Sequence, residues 1–66
     1  MLKKVKRNYI YDILIELEHN KIMLLGAYSE FDNSLDELQI QAAIYRINEL
    51  ETRQRLLLNQ IKGMAQ

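Results

Sequence analysis

His19 is the one imidazole in the chain, and it stands between Glu18 and Asn20. A histidine acts as a general base only beside a positioned partner. The chain has no cysteine to activate, and Ser29 lies ten residues away. Helical spacing puts His19 at the flank of an apolar stripe, where a solvated imidazole is expected and no catalytic residue. The second cluster is acidic: Glu30, Asp32, Asp36 and Glu37. Carboxylates around a loop suit a hard cation. The stretch "DNSLDELQIQAA" lacks the glycine at loop position six and the glutamate at position twelve that such a calcium loop needs. Helix capping and dipole complementation explain these acids, so no metal and no cofactor is expected.

Two polar residues fall on apolar stripes, Asn20 in the first half and Gln54 in the second. A polar residue at such a position fixes register or oligomer state at some cost in stability. Either pairing across a symmetry axis or reaching solvent would satisfy them. "KKVKR", residues 3–7, holds four bases, a weak footprint for phosphate without a glycine-rich loop or helix-turn-helix pattern. It is read as a solvated terminus, with nucleic acid and membrane not expected as partners. Tyr9, Tyr11, Tyr28 and Tyr45 outnumber the single Phe, which suits packing and interfaces.

These residues must be positioned by a chain of 66 residues, one domain at most. Below roughly 70–80 residues a single core supplies about 3–5 kcal/mol, and a disulfide, a metal or oligomerisation makes up the rest. With no cysteine and one histidine, oligomerisation is what remains. Apolar residues are 48% and charged residues 27%, a globular balance. Net charge is zero but uneven: residues 8–37 carry seven acids and one base, while residues 38–66 carry four bases and two acids. No apolar run approaches the roughly 20 residues of a membrane span. The basic start resembles a signal peptide, but Asp12 and Glu16 interrupt its apolar part. Together with the missing cysteines, this suggests a cytoplasmic setting.

Periodicity predicts two helices. There is no proline, and Gly26 and Gly63 are the only glycines. Helix 1, about 8–31, carries Ile10, Leu17, Leu24 and Phe31 every seven residues, joined by Ile13, Leu14, Ala27 and Tyr28. It is expected to continue through Gly26, because the period does. Helix 2, about 35–62, repeats Ile40, Ile47, Gln54, Ile61 and Ala43, Leu50, Leu57, Met64, widened by Ile44 and Leu58. Ser34 and Glu37 have the spacing of a capping box, and Gly63 that of a C-terminal cap. The turn is then about 32–34, which makes the helices antiparallel neighbours and puts Asn20 opposite roughly residue 46.

The fold class is therefore all-α: a single antiparallel two-helix hairpin spanning 1–66, behind a basic segment at 1–7. One hairpin has one seam, and this chain has more apolar residues than one seam uses. In "IMLLG", residues 22–26, Leu24 belongs to the seam and Met23 to its flank, while Ile22 and Leu25 point elsewhere. Tyr11, Ile15, Ile22 and Leu25 form a second stripe in helix 1; Leu35, Leu38, Ala42 and Tyr45 form another in helix 2. Such patches mark interaction surfaces. These eight residues are the expected interface of a homodimer, two hairpins making a four-helix bundle.

The stretch from Leu24 to Lys62 resembles the YaaL-like family of short bacterial proteins of unknown function. The resemblance rests on Ala27 with Phe31, an acidic turn, Ile40 to Tyr45, Glu51 with Arg53, and a Leu-rich end at Lys62. It implies a cytoplasmic protein with no assigned activity. A second resemblance is to sporulation phosphatases of the Spo-zero-E type, also helical hairpins. Their Ser-Gln-Glu-Leu-Asp signature compares with "DNSLD", Asp32 to Asp36, which keeps the Leu-Asp and replaces the leading Ser. The expectation is a non-enzymatic, self-associating interaction module. The alternatives are a regulatory inhibitor or adaptor docking on a larger protein, and an aspartyl-phosphate phosphatase.

Overall fold

The structure, a computed structural model, describes the backbone of residues 2–65 and the side chains of residues 9–64. It contains two helices, α1 (Leu2–Asp32) and α2 (Glu37–Ala65), packed against one another. The hairpin measures 53 × 16 × 12 Å, with a radius of gyration of 15.4 Å. A compact 66-residue chain would have a radius near 11 Å. Two helices make a rod with no second layer.

α1 outruns its predicted bounds at both ends, whereas α2 begins two residues later than predicted and ends three later. α1 starts at Leu2 and includes the basic segment, because lysine and arginine are good helix formers and nothing interrupts them. The side chains of Lys3, Lys4, Lys6 and Arg7 lie outside the described residues. α1 also runs straight through Gly26. α2 passes through Gly63 to Ala65, and no glycine among the described residues takes a positive φ, so Gly63 is not a C-terminal cap. A methyl group on either glycine would meet nothing within 4 Å. Neither glycine is needed for close packing inside the hairpin.

The turn is longer than predicted and is built differently. It spans residues 33–36, and Ser34 belongs to the end of α1. The Ser34 hydroxyl donates to Glu30 O at 2.8 Å, and Asn33 Nδ2 donates to Ser29 O at 2.9 Å. The Asn33 and Ser34 amides donate to Ser29 O and Phe31 O. The last carbonyls of α1 are thereby satisfied. The N-terminal cap of α2 is Asp36, not Ser34. Its Oδ1 accepts from the Gln39 amide at 2.8 Å, and Gln39 Oε1 accepts in return from the Leu35 amide at 2.8 Å. This is a reciprocal cap displaced two residues along the chain. A carboxylate outranks a hydroxyl here, because its charge also meets the positive end of the α2 dipole. Asp36→Ala is expected to cost about 1 kcal/mol, the usual loss of a cap. Urea denaturation followed by circular dichroism measures it, and Ser34→Ala should cost less.

The longer turn shifts the register. Asn20 lies opposite Leu50, not residue 46: its Nδ2 donates to Leu50 O at 2.8 Å. The same register puts Ile13 across from Leu57 and Ala27 across from Ala43. These six positions, with Leu17, are the buried residues of the hairpin. They recur every seven residues in each helix, as a coiled-coil seam does. Ile10 and Leu24 in α1, with Ile47, Gln54, Ile61 and Met64 in α2, are half-buried beside them. Asn20, 3% exposed, is the one buried polar residue among those described. It reaches neither solvent nor a second Asn; it uses a backbone carbonyl of the facing helix. No buried side-chain nitrogen or oxygen among the described residues lacks a partner.

Candidate functional site

The residues with chemical potential do not converge. Among the described residues, no group of three or more His, Cys, Asp or Glu side chains is placed to hold a metal ion. His19 is exposed and borders an open depression of about 170 Å³ with Glu16, Asn20, Met23 and Arg53. The acidic cluster is taken up by the turn, with the Asp36 carboxylate on the Gln39 amide. Glu30, Asn33 and Ser34 face Gln39 and Arg46 across a wider notch of about 430 Å³. Ala42 and Ala43 also line the wider notch, and both depressions lie on one side of the rod.

The other side is apolar. Each residue turns the helix by about 100°, so directions follow from spacing. In α1, Leu14 and Tyr28 lie at the edge of the seam. Tyr11 and Leu25 come next around the cylinder, then Ile15 and Ile22. The apolar arc therefore runs from the seam to the outside of α1, broken at its middle by Glu18, in the row of Tyr11 and Leu25, and by Lys21, in the row of Leu14 and Tyr28. Asp12, Glu16, His19 and Glu30 take what remains. All six apolar residues are exposed, Leu25 at 70%. Lys21, Leu24, Leu25 and Tyr28 line one groove with Gln54 of α2, about 240 Å³. Glu51, Gln54, Arg55 and Leu58 line its neighbour, about 250 Å³.

In α2 the arc is interrupted. Ile44 and Leu58 lie at the seam edge, facing the same way as Leu14 and Tyr28. Gln41, Asn48, Arg55 and Lys62 follow and close off the apolar surface. Leu38, Ala42 and Tyr45 lie beyond that polar row, on the back of α2 near the turn; Leu35, expected in helix 2, lies in the turn itself, before α2 begins at Glu37. They too are exposed, Leu35 at 90%. The eight nominated residues are thus all on the surface but face two ways. Those of α1 belong to a broad apolar face; those of α2 form a patch of their own.

Periodicity assigned Leu14, Tyr28, Ile44 and Leu58 to the seam. They remain 41–46% exposed. Two helices cover only the two innermost rows of each other, so a third row stays open. That row joins the seam to the outer stripe of α1. Its position beside the innermost rows is visible in the sequence; its exposure needs the knowledge that no third helix covers it.

One polar contact crosses this face. The Tyr28 hydroxyl donates to Glu51 Oε2 at 3.1 Å. That hydrogen bond, then burial and the nearby negative charge, raises the Tyr28 pKa above its ordinary 10.0. A raised phenol pKa in the folded state adds stability that is present below pH 10 and lost as pH rises through the shifted value. Glu51→Gln should lower the Tyr28 pKa, and absorbance titration of the variant against the unmodified protein reads the change.

No helix among the described residues is long and apolar enough to cross a membrane. The chain matches no family model, no curated protein and no solved structure.

Proposed function

We propose that this protein is a non-enzymatic interaction module that self-associates through its apolar face, two hairpins completing a four-helix bundle. One observation carries the proposal. Among the described residues, six apolar ones are buried while sixteen large apolar ones are exposed, and no large side chain is fully buried. The protein exposes 5810 Å². A compact monomer of 7.9 kDa exposes roughly 4,400 Å². The excess of roughly 1,400 Å² per chain exceeds the roughly 800 Å² that each partner loses in a standard interface. A dimer with a shared core is also the staple that so short a chain needs. The resemblance to the YaaL-like family supports a cytoplasmic setting and supplies no reaction.

Thermal unfolding tests the proposal. If folding and association are linked, the melting temperature rises with protein concentration. A melting temperature constant over a hundredfold dilution would contradict it.

A second reading, an adaptor docking on a larger protein, is favoured by the separate patch on the back of α2. Leu38, Ala42 and Tyr45 have the spacing of a helix laid into a groove, with Leu35 exposed in the turn beside them. The polar row between this patch and the main face gives it independence. Leu38→Asp should leave the mass of the dimer unchanged, whereas a mixed interface would lose it.

A further inference from the structure

We propose that Asn33 is a site of spontaneous deamidation, and that its conversion loosens the turn that sets the register of the hairpin. The inference does not depend on self-association. The chain has five asparagines: Asn8, Asn20, Asn33, Asn48 and Asn59. Four of them lie inside α1 or α2 and are followed by the large residues Tyr9, Lys21, Glu49 and Gln60. Within a helix the amide after each asparagine is committed to the hydrogen-bond ladder. Asn33 stands just past the end of α1, exposed, and the next residue is the small Ser34.

The chain supplies the nucleophile. The Ser34 backbone nitrogen, once solvent base has taken its proton, attacks Cγ of Asn33. A bond forms between that nitrogen and Cγ. The Cγ–Nδ2 bond breaks, and Nδ2 takes a proton from water and leaves as ammonia. The product is a succinimide ring. Water then opens either of its carbonyls, giving aspartate or isoaspartate at position 33. Ser34 favours the first step, because its side chain is short and its oxygen withdraws electrons from the neighbouring N–H.

The local structure sets what must open first. The Ser34 amide donates to Phe31 O at 3.2 Å, and Asn33 Nδ2 donates to Ser29 O at 2.9 Å. Both bonds close the exposed end of α1, so releasing them frays a single turn. The same release at Asn48 or Asn59 interrupts the inside of α2. Openings at the end of an element cost far less than openings within it.

Conversion changes the turn in two ways. A carboxylate at position 33 has no N–H, so the bond to Ser29 O is lost. It also adds negative charge at the C-terminal end of α1, where the helix dipole is already negative. The segment around it already carries Glu30, Asp32, Asp36 and Glu37. Isoaspartate further lengthens the main chain between the end of α1 and the Asp36 cap of α2.

Incubation of the folded protein at mildly alkaline pH, followed by peptide mapping with mass spectrometry, tests the site. Conversion at Asn33 should be at least about tenfold faster than at Asn20, Asn48 or Asn59, because a helix end opens more readily than a helix interior. It should yield both aspartate and isoaspartate and should quicken as pH rises. Asn33→Gln keeps a side-chain amide but closes a larger ring slowly, so position 33 should stay unconverted. Asn33→Asp, one of the two products, should unfold at a lower urea concentration than the unmodified protein. A rate at Asn33 no faster than at Asn48, or aspartate formed without isoaspartate, would overturn the site. Equal urea midpoints for Asn33→Asp and the unmodified protein would overturn the loosening of the turn.

Discussion

Asn20→Asp is expected to unfold the hairpin near neutral pH. The Asn20 amide is 3% exposed and donates to Leu50 O across the seam at 2.8 Å. A carboxylate there replaces a donor with an acceptor and aims negative charge at a carbonyl oxygen. An uncompensated buried charge costs about 3–5 kcal/mol. That equals the whole stability of about 3–5 kcal/mol that a core of this size supplies. Burial would hold this carboxyl above the ordinary carboxylate range, so the folded state binds the proton more tightly. Stability should then recover as pH falls, when a protonated oxygen can again donate to Leu50 O. Asn20→Leu separates the effect of charge from that of shape. It leaves no polar atom to satisfy and should stay helical across the same pH range. Circular dichroism in urea at several pH values reads all three proteins. Equal midpoints for Asn20 and Asp at neutral pH would show that the bond to Leu50 does not hold the seam.

The second large effect is on assembly. Ile22 is 60% exposed on the outer face of α1, where the hairpin makes no use of it. In the proposed dimer the Ile22 of each copy is covered by the other. Burying an isoleucine contributes about 1.5–3 kcal/mol. Ile22→Asp removes that contribution at both places and adds a carboxylate to desolvate. The dissociation constant should rise by at least about a hundredfold, since 1.4 kcal/mol is a factor of ten. Leu25→Asp should act similarly. Glu49→Ala, on the back of α2, should change nothing. Because Ile22 lies outside the seam, the helical content at high concentration should fall only through the loss of association. Equal dissociation constants for all three variants would remove α1 from the interface.

Much of this fold was legible in the sequence because the seam repeats. Ile13, Leu17, Ala27, Ala43, Leu50 and Leu57 stand at heptad positions, and these are the apolar residues that the structure buries. The continuation through Gly26 was legible for the same reason: the period carried across it. The turn was not. Ser34 with Glu37 and Asp36 with Gln39 are both box-like pairs two residues apart, and spacing does not rank them. Asp36 prevails because the extra turn residues let Asn33 and Ser34 close α1 first. From that shift comes the register, and with it the place of Asn20 opposite Leu50.

The surface was legible by residue type and less so by direction. Tyr11, Ile15, Ile22, Leu25, Leu35, Leu38, Ala42 and Tyr45 are all exposed. Hydrophobicity alone does not say that Gln41 and Asn48 stand between the two groups. That division follows from each residue's angle around α2, once the seam fixes which way α2 faces. His19 and the acids show the converse. Their types invite chemistry, while their places in the fold are a groove edge and a turn.

Sedimentation equilibrium of the unmodified protein over a wide concentration range should show a reversible rise in mass from 7.9 kDa to twice that value, with no larger species. A mass that stays at 7.9 kDa up to about millimolar concentration, the weak end of specific association, would contradict self-association.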